Sequence, residues 1–223
     1  MGRVPTTASS PRGVLWDLDG TLVDSGDYHW QSWRAVMGAA GVDVTRERFQ
    51  ASFGQKNDRI LRDWLGPGAT LDDIRRLGDA KEAEYRRLAR AGGLTALPGA
   101  PEWVSRLRAG GWRQAIASSA PRQNIDVMLE LIGLEGAFDA IVSAEDVTIG
   151  KPDPQVFLLA ADRLGVSPGR AIVVEDAAVG LEAARRAGMP SIGVSPTANL
   201  EADIFVRSLA DLAADAFDAL LRT

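Results

Sequence analysis

The chain has 223 residues, 46% hydrophobic and 25% charged, with a formal net charge of −5. That is the profile of a globular protein large enough for one big domain, or for a core domain with a smaller insertion. The acidic balance argues against non-specific binding to nucleic acid or an anionic membrane, yet leaves room for a small anionic substrate in a local cationic pocket. With no cysteine, disulfides, thiolate zinc sites and cysteine nucleophiles are excluded, and a reducing cytoplasm is the expected setting. A single histidine, His29, and the lack of a Gly-x-Ser-x-Gly elbow turn attention from a Ser-His-Asp triad to carboxylates, lysines and hydroxyls.

Residues 1–12, "MGRVPTTASSPR", lack the apolar centre of a secretory signal and read as a loose leader. No apolar stretch approaches the length of a membrane span. "GVLWDL" (13–18) is the first of six apolar runs that read as buried parallel strands. The others are "WRQAIAS" (112–118), "FDAIVSAED" (138–146), "AIVVED" (171–176), "PSIGV" (190–194) and "DIFVRS" (203–208). Helical patterns fill the intervals at about 100–109, 122–132, 154–164 and 178–187, with a last helix at 209–221. Gly110-Gly111, Gly133, Gly165 and Gly188 stand where helix C-termini favour glycine. Alternation of this kind predicts a doubly wound, Rossmann-like α/β parallel sheet.

One stretch breaks the alternation. Between Gly26 and Leu97 only helical periodicity is visible, and a single loop of that length would be anomalous. The simplest account is an all-helical cap domain over 26–97 inserted into a core formed by 13–25 and 98–223. Gly26, Gly92, Gly93, Pro98 and Gly99 are candidate hinges.

In open α/β sheets the ligand lies beyond the carboxyl ends of the strands. The first strand ends in Asp17 and Asp19, the second in Ser118 and Ser119, and the fourth in Glu175 and Asp176; Lys151 follows the third. Taken singly, each has a plainer reading. Asp-x-Asp-Gly can be a strand and turn, and Ser118-Ser119 a helix N-cap region. Lys151-Pro152 can be an exposed loop, and Glu175-Asp176 can cap the next helix. Together at strand ends they suit phosphoryl chemistry on a metal, and hard oxygen ligands favour Mg²⁺. One carboxylate can attack phosphorus, a second can move protons, and an ammonium and hydroxyls can meet phosphoryl charge.

"DLDGTLVDS", "ASSA", "GKPDP" and "VVEDAAVG" resemble, in order, the four motifs of the haloacid dehalogenase superfamily. The resemblance runs from about residue 13 to 215. It implies that Asp17 is the nucleophile and Asp19 the general acid/base. It further implies that Asp17, the Asp19 backbone carbonyl and Asp176 hold Mg²⁺ with support from Glu175, and that Ser118, Ser119 and Lys151 bind the phosphoryl group. Dehalogenases of the superfamily lack the second aspartate, so Asp19 favours phosphoryl transfer. A non-catalytic phosphate-binding module would be expected to have lost some of these acids.

The cap stretch "DSGDYHWQSWRAVM" is similar to that of the β-phosphoglucomutase-like branch. His29 and Trp33 fit a His and Trp one helical turn apart, and Lys81 matches a cap lysine; His29 reads equally as a packing residue. The mutase's Lys-Gly-x-x-Arg clamp is missing: Phe53 precedes Gly54, and Asn57 stands at the arginine's place. Lys56 and Arg59 are nearby cations at different spacing. The expectation is a phosphatase acting on a small phosphorylated metabolite, a sugar phosphate being one option, with a phosphosugar mutase as the alternative.

Overall fold

The computed structural model describes residues 10–222. Most of the expected leader lies outside that range. Arg12 is tethered: its guanidinium lies over Trp112, 4.4 Å from the ring centroid, and bonds the Gly110 carbonyl at 3.0 Å.

The six strands are β1 (Gly13–Trp16), β2 (Arg113–Ala117), β3 (Ala140–Val142), β4 (Ala171–Glu175), β5 (Ser191–Val194) and β6 (Ile204–Val206). They form one parallel sheet in the order β3-β2-β1-β4-β5-β6. Successive side chains on a strand face opposite sides, and both faces of this sheet are covered. Val14, Trp16, Ile172 and Val174 join one apolar cluster with α5 (Ala100–Ala109), α6 (Arg122–Leu131) and α9 (Ala216–Leu220). Leu15, Ala171 and Val173 join the other with α7 (Gln155–Leu164) and α8 (Ala178–Arg186). The α/β doubly wound prediction therefore stands, and the strand order reverses between β1 and β4, the usual place for a ligand crevice.

Three elements are shorter than expected. β1 ends at Trp16; Asp17 still donates to the Val174 carbonyl at 2.9 Å, but the chain then folds back, with Leu22 N–H reaching the Leu18 carbonyl. The run 138–146 keeps only β3, because Ser143 and Asp146 form a capping box that turns 144–146 into a 3₁₀ turn. The run 209–221 is a 3₁₀ turn at 209–211 and then α9; the Leu209 carbonyl is shared between the Trp103 indole at 2.9 Å and the Leu212 N–H of the turn at 3.2 Å.

Between β1 and α5 lie only helices: α1 (Gly26–Ala39), α2 (Arg46–Ser52), α3 (Asn57–Leu65) and α4 (Leu71–Gly92). Gly26 is the first residue of α1. Trp33, Met37, Phe49, Ile60, Leu61, Trp64, Ile74 and Leu77 form a third apolar cluster separate from the sheet, so the cap has its own core. α4 starts with a Thr70/Asp73 capping box and serves both parts. Its first half packs Ile74 and Leu77 into the cap, while Tyr85 and Ala89 near its end join the sheet cluster.

Candidate active site

The acids lie where the sheet order reverses. Asp17 follows β1, Glu175 ends β4 and Asp176 follows it; one carboxylate oxygen from each lies within 4.8 Å of the other two. Lys151, 2% exposed, reaches between them. Its ammonium donates to Asp17 Oδ1 and to Glu175 Oε1, both at 2.5 Å. The second oxygen of Glu175 accepts from Ala177 N–H at 2.8 Å. The plainer reading of Lys151-Pro152 as an exposed loop thus fails for the lysine side chain, which stands among the acids.

Two glycines make this packing fit. Gly20 has φ +82°, and a Cβ there would stand 2.1 Å from Asp176 Oδ2. At Gly180, on α8, a Cβ would stand 1.8 Å from Glu175 Oε1. Both positions need the bare backbone because a carboxylate is held against it.

The electrostatics are those of a charge cluster short of positive charge. Burial pushes the Asp17 carboxyl up to about 8; Lys151 pulls the other way, and Glu175 and Asp19 add repulsion. Asp176 is raised well above the carboxylate range, first by burial and then by Glu175 and Asp17. Burial opposes the charge on Lys151, but Asp17 and Glu175 keep its pKa above the ordinary lysine value. One ammonium cannot neutralise three clustered carboxylates, two of them buried and Asp176 half-buried, and a hard divalent cation on these oxygens would relieve the repulsion. The donor set therefore fits Mg²⁺: Asp17 and Asp176 would be its side-chain ligands, with Glu175 already engaged by Lys151 and Ala177.

Asp19 has a different environment. It lies beyond the strand end, in a bridge with Val23. Its Oδ1 accepts from Ser25 Oγ at 2.5 Å and meets His29 Nε2 at 2.8 Å. Burial would raise this carboxyl, but His29 and Ser25 hold it below the usual range. On the far side of the imidazole, Lys81 Nζ lies 2.8 Å from Nδ1. An ammonium can only donate, so Nδ1 is the acceptor and the Nε2–H faces Asp19, a tautomer assigned from the hydrogen-bond network. The ring stacks on Tyr85 with centroids 4.1 Å apart and planes 16° from parallel.

Most of the other expected residues converge on the same cavity, which is lined by Asp17, Asp19, His29, Trp33, Gly54, Asn57, Lys81, Ser118 and Ser119 among others. Neither serine caps α6, whose N-cap is Pro121. Ser118 Oγ accepts from Ala120 N–H at 3.0 Å, and Ser119 Oγ donates across to the Gly54 carbonyl at 3.0 Å. Similarly, Ala177 rather than an acid holds the N-cap position of α8. Trp33 lines the cavity while packing edge-on against Trp64, 5.0 Å between centroids. Lys56, one of the two cations near the missing clamp, is committed elsewhere: its ammonium takes the carbonyls of Ala144 and Val147, each at 2.9 Å. Arg59 is exposed.

Four residues were not anticipated. Ser25 closes the first motif, where no role is assigned to it. Glu82, 5% exposed, accepts from Lys81 Nζ at 2.9 Å, from Asn57 and, through its other oxygen, from Asn124 of α6. Arg86 donates to Asn124 Oδ1 at 2.7 Å. A signal existed for Lys81, which interrupts the stripe Ile74, Leu77, Tyr85, Ala89 at helical spacing. Glu82 and Asn124 carry no comparable mark.

A Rossmann-like sheet with a buried acid cluster at its switch point, roofed by an inserted helical cap, defines a class of hydrolases built for small ligands. The chain matches the haloacid dehalogenase-like hydrolases over residues 11–188 and belongs to that family. It is 32% identical to hexitol phosphatase B of Escherichia coli over 92% of this chain and 97% of that one. It is 30% identical to β-phosphoglucomutase of Bacillus subtilis over 90% and 91%. The crystal structure of β-phosphoglucomutase from Clostridium difficile superposes with a TM-score of 0.87 at 25% identity, covering 95% of this chain and 97% of that one.

Proposed function

We propose that this protein is a Mg²⁺-dependent phosphatase that hydrolyses a small organic phosphomonoester, sugar phosphates included, through an aspartyl-phosphate at Asp17. The domain division supporting this reading is a catalytic core of 13–25 and 98–223 with a cap of 26–97. The observation that carries it is the unequal treatment of two aspartates: Asp17 is bound to Lys151 inside the acid cluster, and Asp19 is held apart by Ser25 and His29.

In the first step Asp17 Oδ attacks phosphorus and the bond from phosphorus to the ester oxygen breaks. Asp19 delivers its proton to that oxygen, so a neutral alcohol leaves. In the second step a water attacks the phosphorus of the aspartyl-phosphate while Asp19 takes its proton, and phosphate and free Asp17 are released. The Lys151 ammonium and the Ser118 hydroxyl meet the charge on the phosphoryl oxygens. When bound, Mg²⁺ supplies positive charge that keeps Asp17 ionised and shields it from the incoming phosphoryl group. His29 and Ser25 hold the free Asp19 carboxyl below its usual range, which suits the base role; a phosphoryl dianion binding beside it raises its proton affinity, and the proton it then takes from solvent is the one it delivers to the ester oxygen.

Hydrolase is favoured over mutase because the cap offers no second anion clamp. Asn57 occupies the arginine's place and its amide is bound to Glu82, while Lys56 is bound to core carbonyls. The similarity to β-phosphoglucomutases supports the family and leaves the mutase as the competing outcome. The test incubates the protein and Mg²⁺ with β-glucose 1-phosphate, with and without a bisphosphate activator, and with a panel of phosphate esters. Phosphate release is expected. Efficient glucose 6-phosphate formation with little phosphate released would establish the mutase instead.

A further inference from the structure

Across the cavity from the acids, the cap wall has an unusual polarity. Asn57 Nδ2 donates to Glu82 Oε1. A carboxylate only accepts, so the amide must turn its nitrogen to Glu82. Among the described residues nothing donates to Asn57 Oδ1, which is left without a protein donor on a residue that lines the cavity. The amide is not free to flip, because Glu82 is itself fixed: its other oxygen takes Asn124 of α6, and Arg86 holds Asn124 from behind.

The charge on this wall also cancels. Among the described cavity residues from the cap, the formal charges are Lys81 and Glu82, paired at 2.9 Å. Burial would raise the Glu82 carboxyl, yet Lys81 and then His29 hold it below its ordinary range. Such a wall gives a second phosphate no cation of its own, and an amide oxygen repels it.

Resting on the phosphatase reading, we infer that Asn57 is a specificity-determining residue that accepts a hydrogen bond from a hydroxyl of the leaving alcohol, and that Glu82 is the positioning residue that fixes its orientation. The substrate class is then a monophosphate ester of a hydroxylated, otherwise uncharged alcohol, and bisphosphates are rejected. Within the cap, Lys81 and Asn57 share one oxygen of Glu82, and Asn124 of a core helix ties down the other, so cap–core contact adds to the fixing of the acceptor.

The experiment measures kcat/KM in Mg²⁺ for three hydroxylated monophosphates (sorbitol 6-phosphate, glucose 6-phosphate and fructose 1-phosphate), for glucose 1,6-bisphosphate, and for p-nitrophenyl phosphate, which has no hydroxyl. The wild type should favour at least one hydroxylated monophosphate over both other classes. Asn57→Leu should cut the preference for that substrate over p-nitrophenyl phosphate by about tenfold, mainly through KM. Glu82→Gln leaves Lys81 uncompensated and lets the amide turn, so the bisphosphate-to-monophosphate ratio of kcat/KM should rise by roughly fivefold or more. A purely structural role would move all the substrates by one factor, and that result in both variants overturns the inference. So does a wild type that prefers the bisphosphate. Phosphate release from none of these esters overturns the phosphatase reading beneath it.

Discussion

The core and the cap place their functional groups by different means. In the core, Asp17, Ser118 and Glu175 follow or end strands, so the parallel ladder fixes their backbones; Asp17 N–H bonds Val174 and Ser118 N–H bonds Val142. In the cap, His29, Asn57, Lys81 and Glu82 stand on three different helices and are aligned by side-chain hydrogen bonds that run from Asp19 to Asn124. A ladder position survives the loss of one side chain, whereas a network rearranges when any member is removed. The lesson is a division of labour: changes in the core should remove chemistry and keep the fold, and changes in the cap should alter selectivity and closure.

The largest effect expected is at the nucleophile. Asp17→Asn should lower turnover by at least roughly 10⁴, measured as phosphate release, with the secondary structure seen by circular dichroism unchanged; retained activity would break the core half of the comparison. Chelation of divalent metal should silence the enzyme, and Mg²⁺ should restore it; full activity in chelator would contradict the acid cluster as a metal site. Smaller in size is the loss at the cap–core contact. Lys56→Met removes two ammonium–carbonyl bonds to the Ala144–Val147 segment, and should change KM by about threefold to tenfold while kcat moves less. An equal fall in kcat would show that Lys56 serves the chemistry. Smallest is a surface pair in the core. Arg163 and then Ser143 hold Asp146 at about 2, against 3.8 unperturbed. Its contribution is fully present above the unfolded value and fades as pH falls toward the folded one. Asp146→Asn should therefore lower Tm slightly at neutral pH, and the gap to wild type should close near pH 2.

Legibility in the sequence follows the same division. The strand-end acids and serines were readable because they close apolar runs, and Lys151 because its motif follows the third run; the alternation around them forecast the sheet. The pairing of Lys151 with Asp17 and Glu175 was less visible, since it joins positions far apart in sequence. In the cap, Lys81 was legible through its match to a mutase lysine, and it also interrupts an apolar helix stripe, whereas Glu82 and Asn124 look like ordinary helix-surface residues until the two helices meet. Lys56 shows the opposite error: it stands at a suggestive position, yet its contact is with backbone carbonyls of the core. Element ends were blurred where a side chain competes with the backbone ladder, as at Ser143–Asp146.

The central claim is that Asp17 carries the phosphoryl group and Asp19 assists its departure. Asp19→Asn treated with p-nitrophenyl phosphate tests both together, because that leaving group departs without a proton while the following hydrolysis still lacks its base. Rapid mixing followed by acid quench and peptide mass analysis should show a burst of about one p-nitrophenolate per enzyme and a matching hydroxylamine-sensitive phosphate on Asp17. Steady release with no burst and no phosphate on Asp17 would contradict the account.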